Sequence, residues 1–78
     1  MKKNEMKNET KMILKNHEMT LINPSMYYGD KKSNSLICNA YDNNYGECYH
    51  IFVDFNKRVY TIQSLSPVTI HDVRHYKF

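Results

Sequence analysis

Two kinds of chemistry are conceivable from the residue types in the second half of the chain. Cys48 and His50 are two residues apart, and a cysteine near a histidine is a common arrangement of a nucleophile and its base. Thiol and imidazole groups also bind zinc. From Cys38 onward, five side chains carry these groups: Cys38, Cys48, His50, His71 and His75. Whether they form a site depends on the elements that position them.

Alternating apolar and polar residues indicate that the second half of the chain is β-rich. The pattern predicts four strands, at about 35–41, 48–55, 58–65 and 68–76. Asn43–Gly46 and Asn56-Lys57 are the predicted turns, because asparagine and glycine tolerate left-handed backbone. Ser66-Pro67 interrupts the last pair and is also a helix-start signal. The β-branched run Val68–Ile70 favours a strand there.

Loop lengths assign each strand residue to one face of the sheet. A two-residue turn at Asn56-Lys57 pairs Val53 with Tyr60. A four-residue loop at Asn43–Gly46 pairs Leu36 with Val53, in agreement with the first pairing. One face is then apolar and should form the core: Leu36, Cys38, Ala40, Tyr49, Ile51, Val53, Phe55, Tyr60 and Ile62. The opposite face mixes polar and aromatic residues: Ile37, Asn39, Tyr41, Cys48, His50, Phe52, Asp54, Val59, Thr61 and Gln63.

This assignment disfavours both kinds of chemistry. Cys38 and Cys48 fall on opposite faces, which disfavours an intrachain disulfide and a zinc site that needs both. Cys48 and His50 share a face, but residues two apart on a strand lie about 6–7 Å apart, too far for direct activation of the thiol. His71 and His75 are also too far apart if they share a strand. We therefore predict no catalytic residue, no metal site, no cofactor, and a protein that is not an enzyme.

The first third of the chain offers little apolar surface to bury. Residues 1–11 are rich in Lys, Asn and Glu and predict a flexible arm. A short helix or strand is expected around Lys11–Lys15, and Met19–Ile22 is the first plausible strand. A polar loop with two exposed tyrosines, Tyr27 and Tyr28, follows.

Together these elements predict a mainly β protein, with a small antiparallel sheet of four or five strands and a short N-terminal helix or arm. An SH3-like, partly open barrel is the expected closure of the sheet. The predicted organisation is an arm over residues 1–11 and a single small β domain over 12–78. A chain of 78 residues buries only a modest core. A homodimer is therefore among the expected partners.

Composition bears on source and compartment. Nine lysines against two arginines, nine asparagines and seven tyrosines indicate AT-rich coding, as in a low-GC bacterium or its phages and plasmids. Two cysteines are too few for a disulfide framework. The basic start lacks the apolar segment of a signal peptide, and no run has the length of a membrane span. We expect a cytoplasmic protein with free thiols and no membrane partner.

The net charge of +3 raises the question of nucleic-acid binding. Residues 1–18 carry five lysines against three glutamates, and residues 19–78 are almost neutral. A dedicated DNA-binding domain concentrates its cations, because affinity comes from neutralising several phosphates together. Single-stranded nucleic acid or a nucleotide is therefore the second choice of ligand, on the sheet face of Tyr41, His50 and Phe52 beside basic residues.

Protein binding is the first choice, because tyrosines on loops and strands are typical of interface hot spots. We expect a phage or mobile-element product that binds and inhibits a host protein, with defence systems such as CRISPR effectors as natural targets. The target class rests on analogy alone. The predicted binding residues are Tyr27, Tyr28, Tyr41, Tyr45, His50, Phe52, Lys57 and Arg58.

Overall fold

The fold consists of one antiparallel sheet with a helix on one of its faces. The computed structural model describes residues 1–22, 26–30, 32–65 and 73–78. The elements of these residues are α1 (Lys3–Asn16), β1 (Met19–Leu21), β2 (Tyr27–Tyr28), β3 (Ser35–Asp42), β4 (Cys48–Asp54), β5 (Val59–Ser64) and β6 (Val73–Lys77). The strand order is β1-β3-β4-β5-β6, and β2 pairs with the same strand β3 as β1 does.

The predicted class, a mainly β antiparallel protein with a short N-terminal helix, is confirmed. The sheet has six strands instead of four or five, because Tyr27–Tyr28 adds a strand too short to produce a pattern in the sequence. The SH3-like barrel is not confirmed. Among the described residues the sheet is an open path, in which β1 and β6 lie at opposite ends and do not pair. The region 66–72, where the sequence left strand and helix open, lies outside the described residues.

The predicted register is confirmed at its central pairs. Leu36 pairs with Val53, and Val53 pairs in turn with Tyr60. The second turn is longer than predicted: the ladder ends at the pair of Asp54 with Val59, and the left-handed residue is Arg58, not an asparagine. The register is unchanged because the turn gains one residue from each strand, Phe55 and Arg58, and Phe55 is buried in the core as predicted.

Aspartates hold three of the turns. Asp42 accepts hydrogen bonds from the backbone N–H groups of Asn44 (2.8 Å) and Tyr45 (3.0 Å). Asp54 and Asp30 each accept from two backbone N–H groups in the turns that follow them. Such side-chain bonds substitute for backbone pairing at a strand end. These three carboxylates therefore have structural roles.

Helix α1 covers the apolar face through a single line of side chains. Met6, Thr10, Ile13 and Leu14 are its buried residues and lie within two and a half turns of one another. The hydroxyl of Thr10 is fully buried and donates to the carbonyl of Met6 at 2.8 Å, so its polar group has a partner. The helix completes a core whose sheet side is the predicted apolar face.

The helix begins at Lys3, whereas the sequence predicted an arm up to residue 11 and a short helix or strand around Lys11–Lys15. Met6 and Thr10 explain the difference, since both pack into the core. Polar neighbours surround each of them in the sequence, so the stripe is sparse and its period is hard to detect from sequence alone.

An aromatic cluster connects the end of α1 to the last two strands. His17, the C-cap residue, lies 2.7 Å from the hydroxyl of Tyr60 through Nε2 and makes edge contacts with the rings of Tyr60 and Tyr76. Tyr60 and Tyr76 stack with ring centroids 5.0 Å apart. Phe78 packs at its edge against Phe55. This cluster holds β6 to the rest of the sheet.

Truncation of Met6 tests whether the helix packs from its first turns. Met6 is 5% exposed and Met12 on the same helix is 65% exposed. We expect Met6→Ala to lower the free energy of unfolding by about 2–5 kcal/mol, because it leaves a cavity under the helix. The matched Met12→Ala variant should change it by less than about 0.5 kcal/mol. Urea unfolding followed by circular dichroism measures both, and equal effects would contradict this packing.

Candidate functional site

The candidate site is the open face of the sheet, defined as the side chains that point away from α1. Alternation along β3, β4, β5 and β6 places these residues by register. No described element packs over this face. Its members are Thr20, Ile22, Tyr27, Ile37, Asn39, Tyr41, Cys48, His50, Phe52, Asp54, Val59, Thr61, Gln63, Val73, His75 and Lys77.

The centre of the open face combines an apolar ring with polar neighbours. Phe52 lies between Ile37 and Thr61 across the strands and is 36% exposed. One row further, Nδ1 of His50 is hydrogen-bonded to the side-chain carbonyl of Asn39 at 3.0 Å. That bond fixes the orientation of the imidazole beside Phe52. The centre is therefore an apolar patch with directional hydrogen-bonding groups at its side.

A shallow hollow lies on the open face between β5 and β6. Its volume is about 220 Å³, and it is lined by Val59, Tyr60 and Thr61 of β5 and by His75, Tyr76 and Lys77 of β6. The hollow adjoins the centre of the face, since Thr61 pairs with both Phe52 and His75. Val59 and Lys77 lie at one end of the hollow and Thr61 and His75 at the other, so each end joins a residue of β5 to a basic or imidazole side chain of β6.

Four of the eight predicted binding residues lie on the open face. Tyr27 extends the row of Phe52 through Ile37 and is 64% exposed. Tyr41 pairs with Cys48 and is 42% exposed, and His50 follows two residues along β4. The structure thus brings Tyr27, Tyr41, His50 and Phe52 to one surface.

The other four lie elsewhere. Tyr28 is on the helix side, half-buried, with the ammonium group of Lys3 5.4 Å from its ring centroid. The prediction of two exposed tyrosines in a loop is wrong for Tyr28, because β2 pairs it with the core residue Leu36. Tyr45 is exposed at the β3–β4 turn, and Lys57 is exposed at the β4–β5 turn.

Arg58 is engaged on the helix side of the sheet. Its Nη1 lies 2.9 Å from Oε2 of Glu9 on α1, and its guanidinium lies 4.2 Å from the ring centroid of Phe78. It does not stand beside Tyr41, His50 and Phe52, as the nucleic-acid alternative required. The left-handed backbone of Arg58 directs the side chain to the helix side, and sequence gives little indication of that conformation.

Sequence reasoning missed two exposed apolar residues of this surface. Val73 is 38% exposed and ends the row of Asn39, His50 and Gln63. Ile22 is 48% exposed, and its N–H donates to the carbonyl of Asn39 at the end of the same row. The register of the last strand would have placed Val73 on this face. The interruption at Ser66-Pro67 left that register undetermined in the sequence.

The cysteines have the environments that the register predicts. Cys38 is 2% exposed on the helix side, and burial raises the pKa of its thiol to about 11. Cys48 is exposed on the open face, and both cysteines are free. Among the described residues no three His, Cys, Asp or Glu side chains are grouped as metal ligands would be. His71, one of the candidate ligands, lies outside those residues.

Alkylation should distinguish the two thiols. We expect iodoacetamide at neutral pH to modify one cysteine of the folded chain, Cys48, because only an accessible thiolate reacts. Both should react in guanidinium chloride, and Cys48→Ser should show no adduct when folded. Intact-mass spectrometry counts the adducts. Two adducts on the folded chain would contradict the burial of Cys38.

The histidine at the helix end should make stability dependent on pH. Burial, followed by the nearby charge of Arg74, lowers the pKa of His17 below 6.5, although Asp42 acts in the opposite direction. The neutral form is therefore favoured in the folded state. Its contribution is complete above pH 6.5 and is lost as the pH falls from 6.5 through the lowered folded-state value.

We expect His17→Gln to destabilise the chain by about 1 kcal/mol at pH 7.5, through loss of the bond to Tyr60. The difference from wild type should shrink at pH 5.5, since the wild type alone loses the contribution of His17. Urea unfolding at both pH values measures it. A difference that grows on acidification, or the same behaviour in His75→Gln, would contradict this assignment.

Comparison with known proteins gave no significant match to any family model, curated protein or solved structure. Within the described part of the chain, no helix has the length and apolar character needed to cross a bilayer. The open face, with Phe52, Tyr41, Tyr27 and His50 at its surface, is therefore the feature from which a function has to be argued.

Proposed function

We propose that this protein is a non-enzymatic binding module that uses the open face to bind a partner protein. The observation that supports this proposal is the row of exposed apolar side chains on a sheet face that no described element covers. Soluble monomers rarely expose contiguous apolar surface of this kind unless a partner or ligand covers it. Phe52 and Tyr41 are the proposed anchors, since aromatic side chains dominate binding energy at such interfaces.

The size of the face is compatible with a specific protein interface. The outline of the molecule measures 34 by 21 Å along its longer axes. A face within that outline covers at most about 700 Å², close to the ~800 Å² that each partner contributes to an interface of standard size. Much smaller ligands would leave most of the exposed apolar row uncovered.

The distribution of charge favours a partner surface of low charge. Of the described lysines and arginines, only Lys77 lies on the open face, at its edge. The lysines of α1 are on the other side of the molecule, and Arg58 is paired with Glu9 there. The proposed partner therefore presents an apolar and uncharged polar surface to Phe52 and Tyr41.

The same distribution makes nucleic acid the weaker alternative. Stacking on Tyr41, His50 and Phe52 would need cations nearby to neutralise the phosphates. The two residues expected to supply them are Lys57, in a turn at the end of the sheet, and Arg58, on its opposite face. No observation specifically favours this ligand over a protein.

The narrower proposal concerns the partner. We propose that it is a host protein, for example a component of a defence system, and that the chain is a phage or mobile-element inhibitor acting in the host cytoplasm. AT-rich composition, small size and two free cysteines support this step.

Capture from lysate of a low-GC bacterium tests the proposal. Wild-type chain, a Tyr41→Ser/Phe52→Ser double variant and the helix-surface control Met12→Ser would be immobilised, washed at 0.5 M salt with nuclease, and analysed by mass spectrometry. We expect one protein at near-stoichiometric yield with wild type and Met12→Ser, reduced at least tenfold with the double variant, since hot-spot residues each contribute about 2 kcal/mol or more.

Three outcomes would overturn the proposal. Capture that survives the double variant would place binding outside the open face. Loss of the captured material on nuclease treatment would favour nucleic acid. A wild-type chain that retains only further copies of itself would mean that the open face is a homodimer interface. Urea unfolding of the double variant verifies that it is folded.

A further inference from the structure

Strand β6 ends the sheet, and no described residue pairs with its outer edge. The N–H of Phe78 donates to the carbonyl of Arg58 at 2.9 Å, so this pair is a hydrogen-bonded one. Hydrogen-bonded and non-hydrogen-bonded pairs alternate along an antiparallel ladder. Tyr76 therefore bonds inward to β5, and the intervening residues direct their N–H and C=O groups outward: Val73, His75 and Lys77.

The outward groups belong to residues whose side chains lie on the open face. Val73, His75 and Lys77 are all exposed. An added strand would pair its backbone with these residues, and the side chains opposite them would lie on the same face. The hollow beside β6, lined by His75 and Lys77, is within reach of a large side chain at the middle position.

Two exposed lysines lie at one end of this edge. Lys77 is exposed at one end of β6, and Lys57 is exposed in the turn close to the same end. Asp54 accepts two hydrogen bonds from its turn, and Glu9 is paired with Arg58. An acidic group that approaches Lys77 therefore meets two exposed ammonium groups, while the carboxylate of Asp54, in the same cross-strand row, accepts hydrogen bonds from its own turn.

We propose that β6 accepts an extended, acidic segment of a partner protein as an additional antiparallel strand. The geometry sets its pattern: an acidic residue opposite Lys77, an aromatic or polar residue opposite His75, and an apolar residue opposite Val73, at every second position. Strand addition of this kind takes affinity from main-chain bonds and selectivity from alternate side chains. The inference goes beyond the proposed function, because it concerns the sheet edge and does not require Phe52 or Tyr41.

A second copy of the chain is a poorer occupant of this edge. Antiparallel pairing of β6 with itself about His75 would place Lys77 opposite Val73 on both sides, so each ammonium group would face an apolar side chain and no carboxylate. Lysines on an edge strand are a common means of preventing edge-to-edge association. An acidic segment supplies the counter-charge that a second copy lacks.

The test uses a synthetic peptide and the full chain. The probe is acetyl-Thr-Glu-Thr-Tyr-Thr-Val-Thr-amide, titrated into ¹⁵N-labelled protein and followed by NMR. We expect chemical-shift changes and slower hydrogen exchange at the backbone amides of Val73, His75 and Lys77. The same peptide with Lys in place of Glu should bind with an affinity lower by about fivefold or more. An N-methylated peptide that cannot form the ladder of backbone hydrogen bonds should not bind.

Variants separate this site from the open face. Lys77→Glu should weaken the acidic peptide about fivefold, whereas Lys11→Glu, the same charge change on the exposed side of α1, should have little effect. Phe52→Ser should leave peptide binding intact, so the edge and the open face can fail independently. Equal binding of the acidic and basic peptides, shifts centred on Phe52 instead of β6, or no binding at millimolar peptide would overturn the proposal.

Discussion

A sheet has two faces, and the described residues of this chain supply one helix to cover them. The 14 residues of α1 bury a single line of side chains, enough to close one face of a narrow sheet and no more. The distribution of side chains follows from the covering of only one face. Strand residues alternate between the helix side, where Leu36, Ile51 and Val53 are fully buried, and the open face, which carries exposed aromatic and polar groups. The side chains that stabilise the fold and those proposed to bind a partner thus lie on opposite faces of the same strands.

The constraint also determines where the charges lie. Lysines occupy the outer surface of the helix, since its inner surface must be apolar. Aspartates terminate strands and hold the turns that fix the register. Register in turn decides which side chains reach the open face, because a slip of one residue would exchange the two faces. The turns at Asp42 and Asp54 are therefore as important for the candidate binding surface as the side chains that form it.

The central hairpins could be predicted from sequence because two independent loop lengths imply the same register. Alternation then identified the core and ten residues of the open face, on β3, β4 and β5. The first half of the helix was harder: its buried residues are a methionine and a threonine among polar neighbours, and their role depends on a sheet distant in sequence. Arg58 and Tyr28 were misplaced for a related reason. A left-handed backbone at Arg58 and a two-residue strand at Tyr28 are decided by tertiary contacts, which local pattern does not report.

The most direct test of this division between faces is hydroxyl-radical footprinting of the free chain, read by mass spectrometry. If α1 covers one face and the other is free, Tyr41 and Phe52 should be oxidised several times faster than Tyr49 and Phe55, the buried residues of the same types. In denaturant the difference should disappear. Slow oxidation of Tyr41 and Phe52 in the folded chain, at the rate of the core residues, would mean that the face is already covered and would contradict its role as a binding surface.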